Sequence, residues 1–219
     1  MKFIAFGDIH GCPGAATKAV TLAAESQARA IFLGDYVDRG PSAVRTLRVL
    51  MEARERYPDW IFLRGNHDQM LLDLIEGRAR VEDLGSGPGG QYDYKQAARS
   101  YAEWQEADAA EQEAMVAFLN ATGHFHETEH FIFCHAILRD TKEDLHAKAP
   151  EELIWNYSYA PAWPGKRFVH GHLPVKELDL RPGSINVNTS CGYGGSLTGV
   201  LLCGLSGAVL GHHAIPEQG

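Results

Sequence analysis

Three short apolar runs divide the first third of the chain. Residues 2–6 (Lys-Phe-Ile-Ala-Phe), 30–33 (Ala-Ile-Phe-Leu) and 60–63 (Trp-Ile-Phe-Leu) each read as a buried strand. Between them the apolar period becomes helical. Ala, Val and Leu recur at helical spacing over residues 14–27, with Pro13 near the helix start. Val44, Leu47, Leu50 and Met51 follow Pro41-Ser42 on one face, until Tyr57-Pro58-Asp59 breaks the helix. A third helix is predicted from about Gln69 to Ile75. The resulting β-α-β-α-β-α order predicts a parallel sheet with right-handed crossovers.

The pattern then changes. Gly85-Ser86-Gly87-Pro88-Gly89-Gly90 predicts a loop, and residues 93–119, free of Pro and Gly, predict helix over the sheet edge or the mouth of a site. Short strands return at residues 131–134, 167–169, 184–187, 199–202 and 208–210. Few helical residues separate the last three, which predicts antiparallel neighbours. No domain boundary stands out, so one domain over residues 1–219 with two sheets is expected.

Composition narrows this reading. At 45% apolar and 22% charged over 219 residues, the chain can bury a core without staples. Cys12, Cys134, Cys191 and Cys203 are far apart with no CxxC, which argues against a zinc ribbon or a disulfide framework and for a reducing compartment. The first apolar run is too short for a signal peptide and no run approaches a membrane span, so a cytoplasmic protein without membrane partner is expected. The net charge of −8 and the lack of a Lys/Arg cluster exclude long nucleic acid as the expected partner. A phosphorylated substrate stays compatible, because bound divalent ions reverse the local potential.

The candidate chemistry sits where the strands end. Gly7-Asp8-Ile9-His10-Gly11, Gly34-Asp35-Tyr36-Val37-Asp38-Arg39-Gly40 and Gly65-Asn66-His67-Asp68 each follow one of the first three runs. Asp8 and His10, two apart, project to one side and can reach one ion. Asp35, at the neighbouring strand end, can bridge two cations roughly 3.5–4 Å apart. Asn66 offers an amide oxygen, and His67 beside it points elsewhere. His135 and His172 are imidazoles at two later strand exits. Together these hard oxygen and imidazole ligands suffice for two partly open divalent-cation sites.

The ordered blocks Asp8-x-His10-Gly11, Gly34-Asp35-x-Val37-Asp38-Arg39-Gly40 and Gly65-Asn66-His67-Asp68 resemble the motifs of the metallophosphoesterase superfamily. With Cys134-His135-Ala136, Ile154-Trp155-Asn156 and Gly171-His172-x-Pro174, they are similar to its phosphoprotein phosphatase branch, which includes the lambda-type bacteriophage and bacterial Ser/Thr phosphatases. The resemblance implies an α/β fold of two facing mixed β-sheets flanked by helices, a four-layer α-β-β-α sandwich. It implies that Asp8, His10 and Asp35 hold one metal, and that Asp35, Asn66, His135 and His172 hold a second. Mn²⁺ is the expected ion, with iron or zinc as alternatives. A hydroxide bridging the metals would attack phosphorus, His67 would protonate the leaving oxygen, Asp38 would orient His67, and Arg39 would clamp a phosphate oxygen.

The implied activity is hydrolysis of phosphate monoesters, first of all phosphoserine or phosphothreonine in proteins, with small phosphoesters as other substrates. Three departures bear on this. Tyr157-Ser158-Tyr159 stands where lambda-type relatives carry a phosphate-binding arginine, which makes Arg139 the candidate substitute. Asn188-Thr189-Ser190 replaces a common Asp-Thr-Gly. Asp68 replaces a common Glu and, with the tail Cys191-Gly192-Tyr193-Gly194-Gly195-Ser196-Leu197-Thr198, matches the symmetrical diadenosine tetraphosphatases, the alternative activity. An alternative of another class is a metal-binding scaffold without turnover.

Plainer readings cover the remaining candidates. His170 is expected as a strand histidine, His124, His126 and His130 as a solvated loop, and Glu103 and Glu111 as part of a solvated helix face. Trp155, Tyr157, Tyr159 and Trp163 fit a substrate pocket or a packed loop equally well.

Overall fold

The computed structural model describes residues 1–82, 90–137, 145–157 and 163–217. Strand β1 (Lys2–Phe6) leads to α1 (Pro13–Ser26), β2 (Arg29–Phe32) to α2 (Ala43–Arg56), and β3 (Ile61–Phe62) to α3 (Asn66–Ile75). Two more helices follow, α4 (Gly90–Glu106) and α5 (Ala109–Asn120). The second half holds β4 (Phe125–Glu127), β5 (Phe131–Cys134), α6 (Pro150–Ile154), β6 (Arg167–His170), β7 (Asp179–Leu180), β8 (Ser184–Asn186), β9 (Ser196–Cys203) and β10 (Val209–Pro216). Among the described residues no helix is long and apolar enough to cross a membrane.

These strands form two mixed five-stranded sheets, in the orders β10-β9-β1-β2-β3 and β4-β5-β6-β8-β7. β1, β2 and β3 are parallel, as the helical crossovers predict, and β5, β6 and β8 are parallel in the other sheet. Alternation along each strand feeds two cores. Phe3, Ala5, Ile31 and Leu33 point inward and pack with Phe131, Phe133, Val169 and Ile185 of the facing sheet. Ile4, Phe6, Ala30 and Phe32 point outward beneath α1, α2 and α5. On the far side Ile132, Cys134 and Phe168 pack with Leu153 of α6. The result is helix, sheet, sheet, helix.

Three local expectations change. Of the last three strands, β9 and β10 are antiparallel neighbours as expected, but β8 is not their neighbour. β7 carries the chain back along the sheet, so β8 starts from the same end as β6 and runs parallel to it, while β9 and β10 join the first sheet. The predicted helix over 93–119 is two helices, because Asp108 caps α5 by accepting from the Glu111 N–H at 2.9 Å. His126 is not in a solvated loop. It lies in β4, antiparallel to β5, with its ring packed on Phe3 and Phe133.

Glu103 also leaves the solvated face, whereas Glu111 stays in a surface ion pair. Glu103 bonds the Ser42 hydroxyl and accepts from the Ala43 N–H at 2.8 Å, satisfying the start of α2. Glu111 pairs with Arg48.

Candidate active site

Loops at the carboxyl ends of the parallel strands carry the predicted residues, the usual place for chemistry in α/β sheets. Asp8 and His10 follow β1; Asp35, Asp38 and Arg39 follow β2; His135 follows β5 and His172 follows β6. Asn66 and His67 lie in the first turn of α3, which begins three residues before the predicted start at Gln69. Asp68 explains the earlier start, because its carboxylate accepts from the Gly65 N–H at 2.9 Å and caps the helix.

The backbone here is unusual. Among the described residues seven non-glycine positions have positive φ, and five of them are His10 (48°), Asp35 (55°), Asp38 (69°), Arg39 (68°) and His172 (63°). Each such residue costs of order 1–3 kcal/mol and persists only where its surroundings hold it. Cross-loop bonds supply that hold for the first two blocks. The Ile9 and His10 N–H groups donate to the Asp35 carbonyl at 3.0 and 2.8 Å, and the Gly40 N–H donates to the His10 carbonyl at 2.9 Å. A Cβ on Gly40 would run into that same carbonyl oxygen, so the two loops touch only because residue 40 is glycine.

Two compact ligand groups meet at Asp35. One contains His10, Asp35 and His67, the other Asp35, His135 and His172. Asp35 Oδ2 lies 3.7 Å from His10 Nε2 and 3.4 Å from His135 Nε2. Asp8 Oδ2 lies 3.7 Å from His10 Nε2. The Asn66 Oδ1 is 3.0 Å from both His135 Nε2 and His172 Nδ1. His10 Nδ1 and His135 Nδ1 face the carbonyls of Val37 and Leu33 at 3.1 and 3.0 Å, which turns each Nε2 toward the cluster.

The residues present fit divalent cations. His172 Nε2 is buried without a hydrogen-bond partner, an arrangement a coordinated ion would satisfy. A cationic group already sits at the other end, where the Arg39 guanidinium bonds His10 Nε2. Oxygen and imidazole donors of this kind suit Mn²⁺, iron or zinc.

Charge is shared unevenly across the cluster. Burial pushes the Asp8 carboxyl up to about 6. Burial would also raise Asp35, but the neighbouring His135 and His67 outweigh it and hold Asp35 well below the usual carboxylate range. In return, and against burial, Asp35 carries His135 up to about 9. His67 titrates above its ordinary value because Asp35 and Asp38 overcome its burial. Burial, aided by Arg39, holds His10 well below its ordinary value, and burial with His135 lowers His172 to about 3. The outer imidazoles, His10 and His172, are therefore biased toward the neutral form that ligates, whereas His67 is biased toward the protonated one.

Residues 1–212 match the family model for calcineurin-like phosphoesterases. The chain belongs to that family. Calcineurin-like phosphoesterases use a dinuclear divalent-metal site, and the two ligand groups sharing Asp35 can hold such a pair. This phosphoesterase is 24% identical to the asymmetrical bis(5'-nucleosyl)-tetraphosphatase PrpE of Bacillus cereus, over 91% of the chain and 90% of that protein. It is 26% identical to the Geobacillus protein of the same name, over 90% and 89%. Among solved structures, a candidate diadenosine tetraphosphatase superposes with a TM-score of 0.68 at 20% identity, covering 98% of this chain and 93% of that one.

Several contacts of this phosphoesterase had no signal in the sequence. Asp38 accepts from His67 Nδ1 at 2.6 Å through one oxygen, the pairing the family resemblance implied, but the bond its other oxygen takes from the Ser100 hydroxyl of α4 was not foreseen. Asn188, where Asp is common in relatives, donates to Asp8 Oδ2 at 2.6 Å, so an amide rather than a second charge positions that carboxylate. Ser190, where Gly is common, sits at a φ of 69°, which accounts for the glycine.

Asp68 also changes meaning. It is fully buried and accepts from the N–H groups of Asp35 and Tyr36 at 2.8 Å each as well as from Gly65, so it ties two loops together rather than facing substrate. Of the aromatic group, Tyr157 and Trp155 approach the His172 ring and Trp163 packs on Phe168. Tyr159 and Arg139 lie outside the described residues. His170 is buried at the end of β6, as a strand histidine should be.

Proposed function

We propose that this phosphoesterase hydrolyses dinucleoside polyphosphates, with diadenosine tetraphosphate as the model substrate. One observation carries the substrate class: the likeness to bis(5'-nucleosyl)-tetraphosphatases runs over about nine-tenths of both chains. The relatives are named asymmetrical, whereas Asp68 and the Gly-rich tail had pointed to the symmetrical enzymes. Because Asp68 faces backbone, it does not bear on that choice. We take the asymmetrical reaction, giving ATP and AMP, as the expected one.

In this reading Asp8, His10 and Asp35 hold one divalent ion, and Asp35, Asn66, His135 and His172 hold the other. Bound ions of this kind supply a water-derived nucleophile near neutral pH and offset phosphoryl charge. His67, protonated and aligned by Asp38, gives its proton to the departing phosphate oxygen. Arg39 pairs with a non-bridging phosphate oxygen once an ion takes its place beside His10. Shared core packing between the two sheets supports one domain over residues 1–219, and four free cysteines support a reducing compartment such as the cytoplasm.

A second reading, a Ser/Thr phosphoprotein phosphatase, is favoured by the Val37-Asp38-Arg39-Gly40 block, with Arg39 set to clamp a phosphomonoester. Steady-state rates with Mn²⁺ on diadenosine tetraphosphate and on a phosphoserine peptide separate the two. We expect kcat/KM to favour the dinucleotide, with ATP and AMP as products; a preference for the peptide overturns the proposal. A scaffold without turnover predicts no hydrolysis of these or of p-nitrophenyl phosphate with any divalent ion.

A further inference from the structure

Two tyrosines frame the candidate centre, one at each end. Tyr193 is 58% exposed and Tyr157 is 56% exposed, unusual for large rings beside a buried polar cluster. Tyr193 lies in the turn after β8, between Gly192 and Gly194, with its N–H donating to the Ser190 carbonyl at 3.0 Å. That turn rests directly on the His10 loop, since a Cβ on Gly192 would meet the His10 side chain. The Tyr193 ring has the Arg39 guanidinium 4.5 Å from its centroid and lies 6.1 Å from the His10 ring. At the opposite end the Tyr157 ring lies 4.6 Å from that of His172, tilted by 51°. Trp155 meets the same imidazole edge-on at 6.5 Å. It also walls a cavity of about 340 Å³ shared with Glu151, Glu152 and Asn156.

His10 and His172 belong to the two ligand groups joined by Asp35, so one exposed ring stands beside each group. An exposed ring held at a fixed place beside a cationic centre offers its π-face to a flat partner. The carboxylates of Glu151 and Glu152 repel phosphate but accept hydrogen bonds from amino groups, which suits the edge of a nucleobase. A phosphopeptide has no need of two such faces. A polyphosphate with a base at each end uses both.

We propose that Tyr193 and Tyr157 are the two base-stacking platforms of this phosphoesterase. Each takes one nucleobase of a dinucleoside polyphosphate, and the phosphate chain lies across the row from His10 through Asp35 to His172. This rests on the dinucleoside polyphosphate reading given above and adds the residues that recognise the two ends. Both tyrosines set specificity by touching the bases, away from the reacting phosphorus.

The test compares dissociation constants for diadenosine tetraphosphate and inorganic tetraphosphate in the full-length, Mn²⁺-loaded chain carrying His67→Ala to suppress turnover. The ratio isolates what the bases add, and any loss common to both ligands cancels. We expect the dinucleotide to bind more tightly. Adding Tyr157→Ala or Tyr193→Ala should each reduce the ratio roughly 5–150-fold, the range for loss of one stacked base, and Phe at either position should preserve it. Equal affinity for the two ligands, or a ratio that survives both alanine changes, overturns the proposal. Wild-type turnover tests the parent reading separately. If the chain cleaves a phosphopeptide but not diadenosine tetraphosphate, while the ratio still collapses in the alanine variants, the substrate reading fails and the platforms stand.

Discussion

The two ends of the candidate centre are built in different ways. At the His10 end, three consecutive strand–loop blocks bring His10, Asp35 and His67 together on a backbone that is left-handed at His10, Asp35, Asp38 and Arg39. Cross-loop hydrogen bonds hold that shape, and Arg39 already places positive charge on His10. The His172 end is assembled from the second sheet, one imidazole per strand, with Asn66 between them and a buried nitrogen of His172 left without a partner. At the first end a protein cation, Arg39, faces the ligand nitrogen of His10; at the second a ligand nitrogen of His172 is buried with no protein partner.

Asp35 joins the two ends, so changing it should break both. Asp35→Asn is expected to reduce bound metal from two ions per chain toward none and to abolish turnover, whereas His10→Ala and His172→Ala should each leave one ion. Elemental analysis of dialysed protein checks this. Two ions retained in Asp35→Asn would remove the bridge from the account.

His67 is the next test, because it lies within the His10 group yet is bonded to Asp38. We expect His67→Ala to keep both ions and lose roughly 10²–10⁴-fold in kcat, the usual worth of a general acid. Loss of an ion with the activity would make His67 a ligand instead.

The third effect is on stability without metal. His135 titrates near 9 in the folded chain and His67 is also raised. A folded chain that holds extra protons is stabilised fully below the unfolded value near 6.5 and loses that stability as pH rises through about 9. In EDTA, unfolding free energy should therefore fall by roughly 2–3 kcal/mol between pH 7.5 and 9.5. Asp8 and Asp68, at about 6 and about 7, act mostly below that window. With ions present the trend should reverse, because imidazole ligates only after losing its proton. Thermal melts across this range decide it.

The smallest effect concerns the Asn188-Thr189-Ser190 turn. Ser190→Gly relieves a left-handed serine, a gain of about 1 kcal/mol partly offset by the freer unfolded chain. A net gain of a few tenths of a kcal/mol in denaturant melts, with metal content unchanged, is expected.

Much of this was legible from one sequence, for a physical reason. Strand ends and the residues just after them are local, so the Asp8, Asp35 and Asn66 blocks and the later His135 and His172 could be read directly. Pairing is not local. Alternation in residues 184–187 shows that the strand is buried but not that β7 turns the chain to make it parallel to β6. The supports of the site are more distant still. Ser100 reaches Asp38 across 62 positions, Glu103 reaches Ser42 across 61, and Asn188 reaches Asp8 across 180. Their residue types are ordinary and their neighbours carry no motif, so only the fold reveals them.

The Ser100 and Glu103 contacts have a consequence for synthesis. A chain emerging from the ribosome exposes β1 to α3, with Asp8, Asp35, Asn66 and His67, before α4 has been made. Until α4 docks, the start of α2 lacks its Glu103 acceptor and Asp38 lacks the hydroxyl that fixes its second oxygen. His135, His172 and Asn188 follow later. Long-range contacts of this kind form late. A growing chain therefore carries the motif-bearing blocks of the centre well before Ser100, His135, His172 and Asn188 have been made to support and complete them.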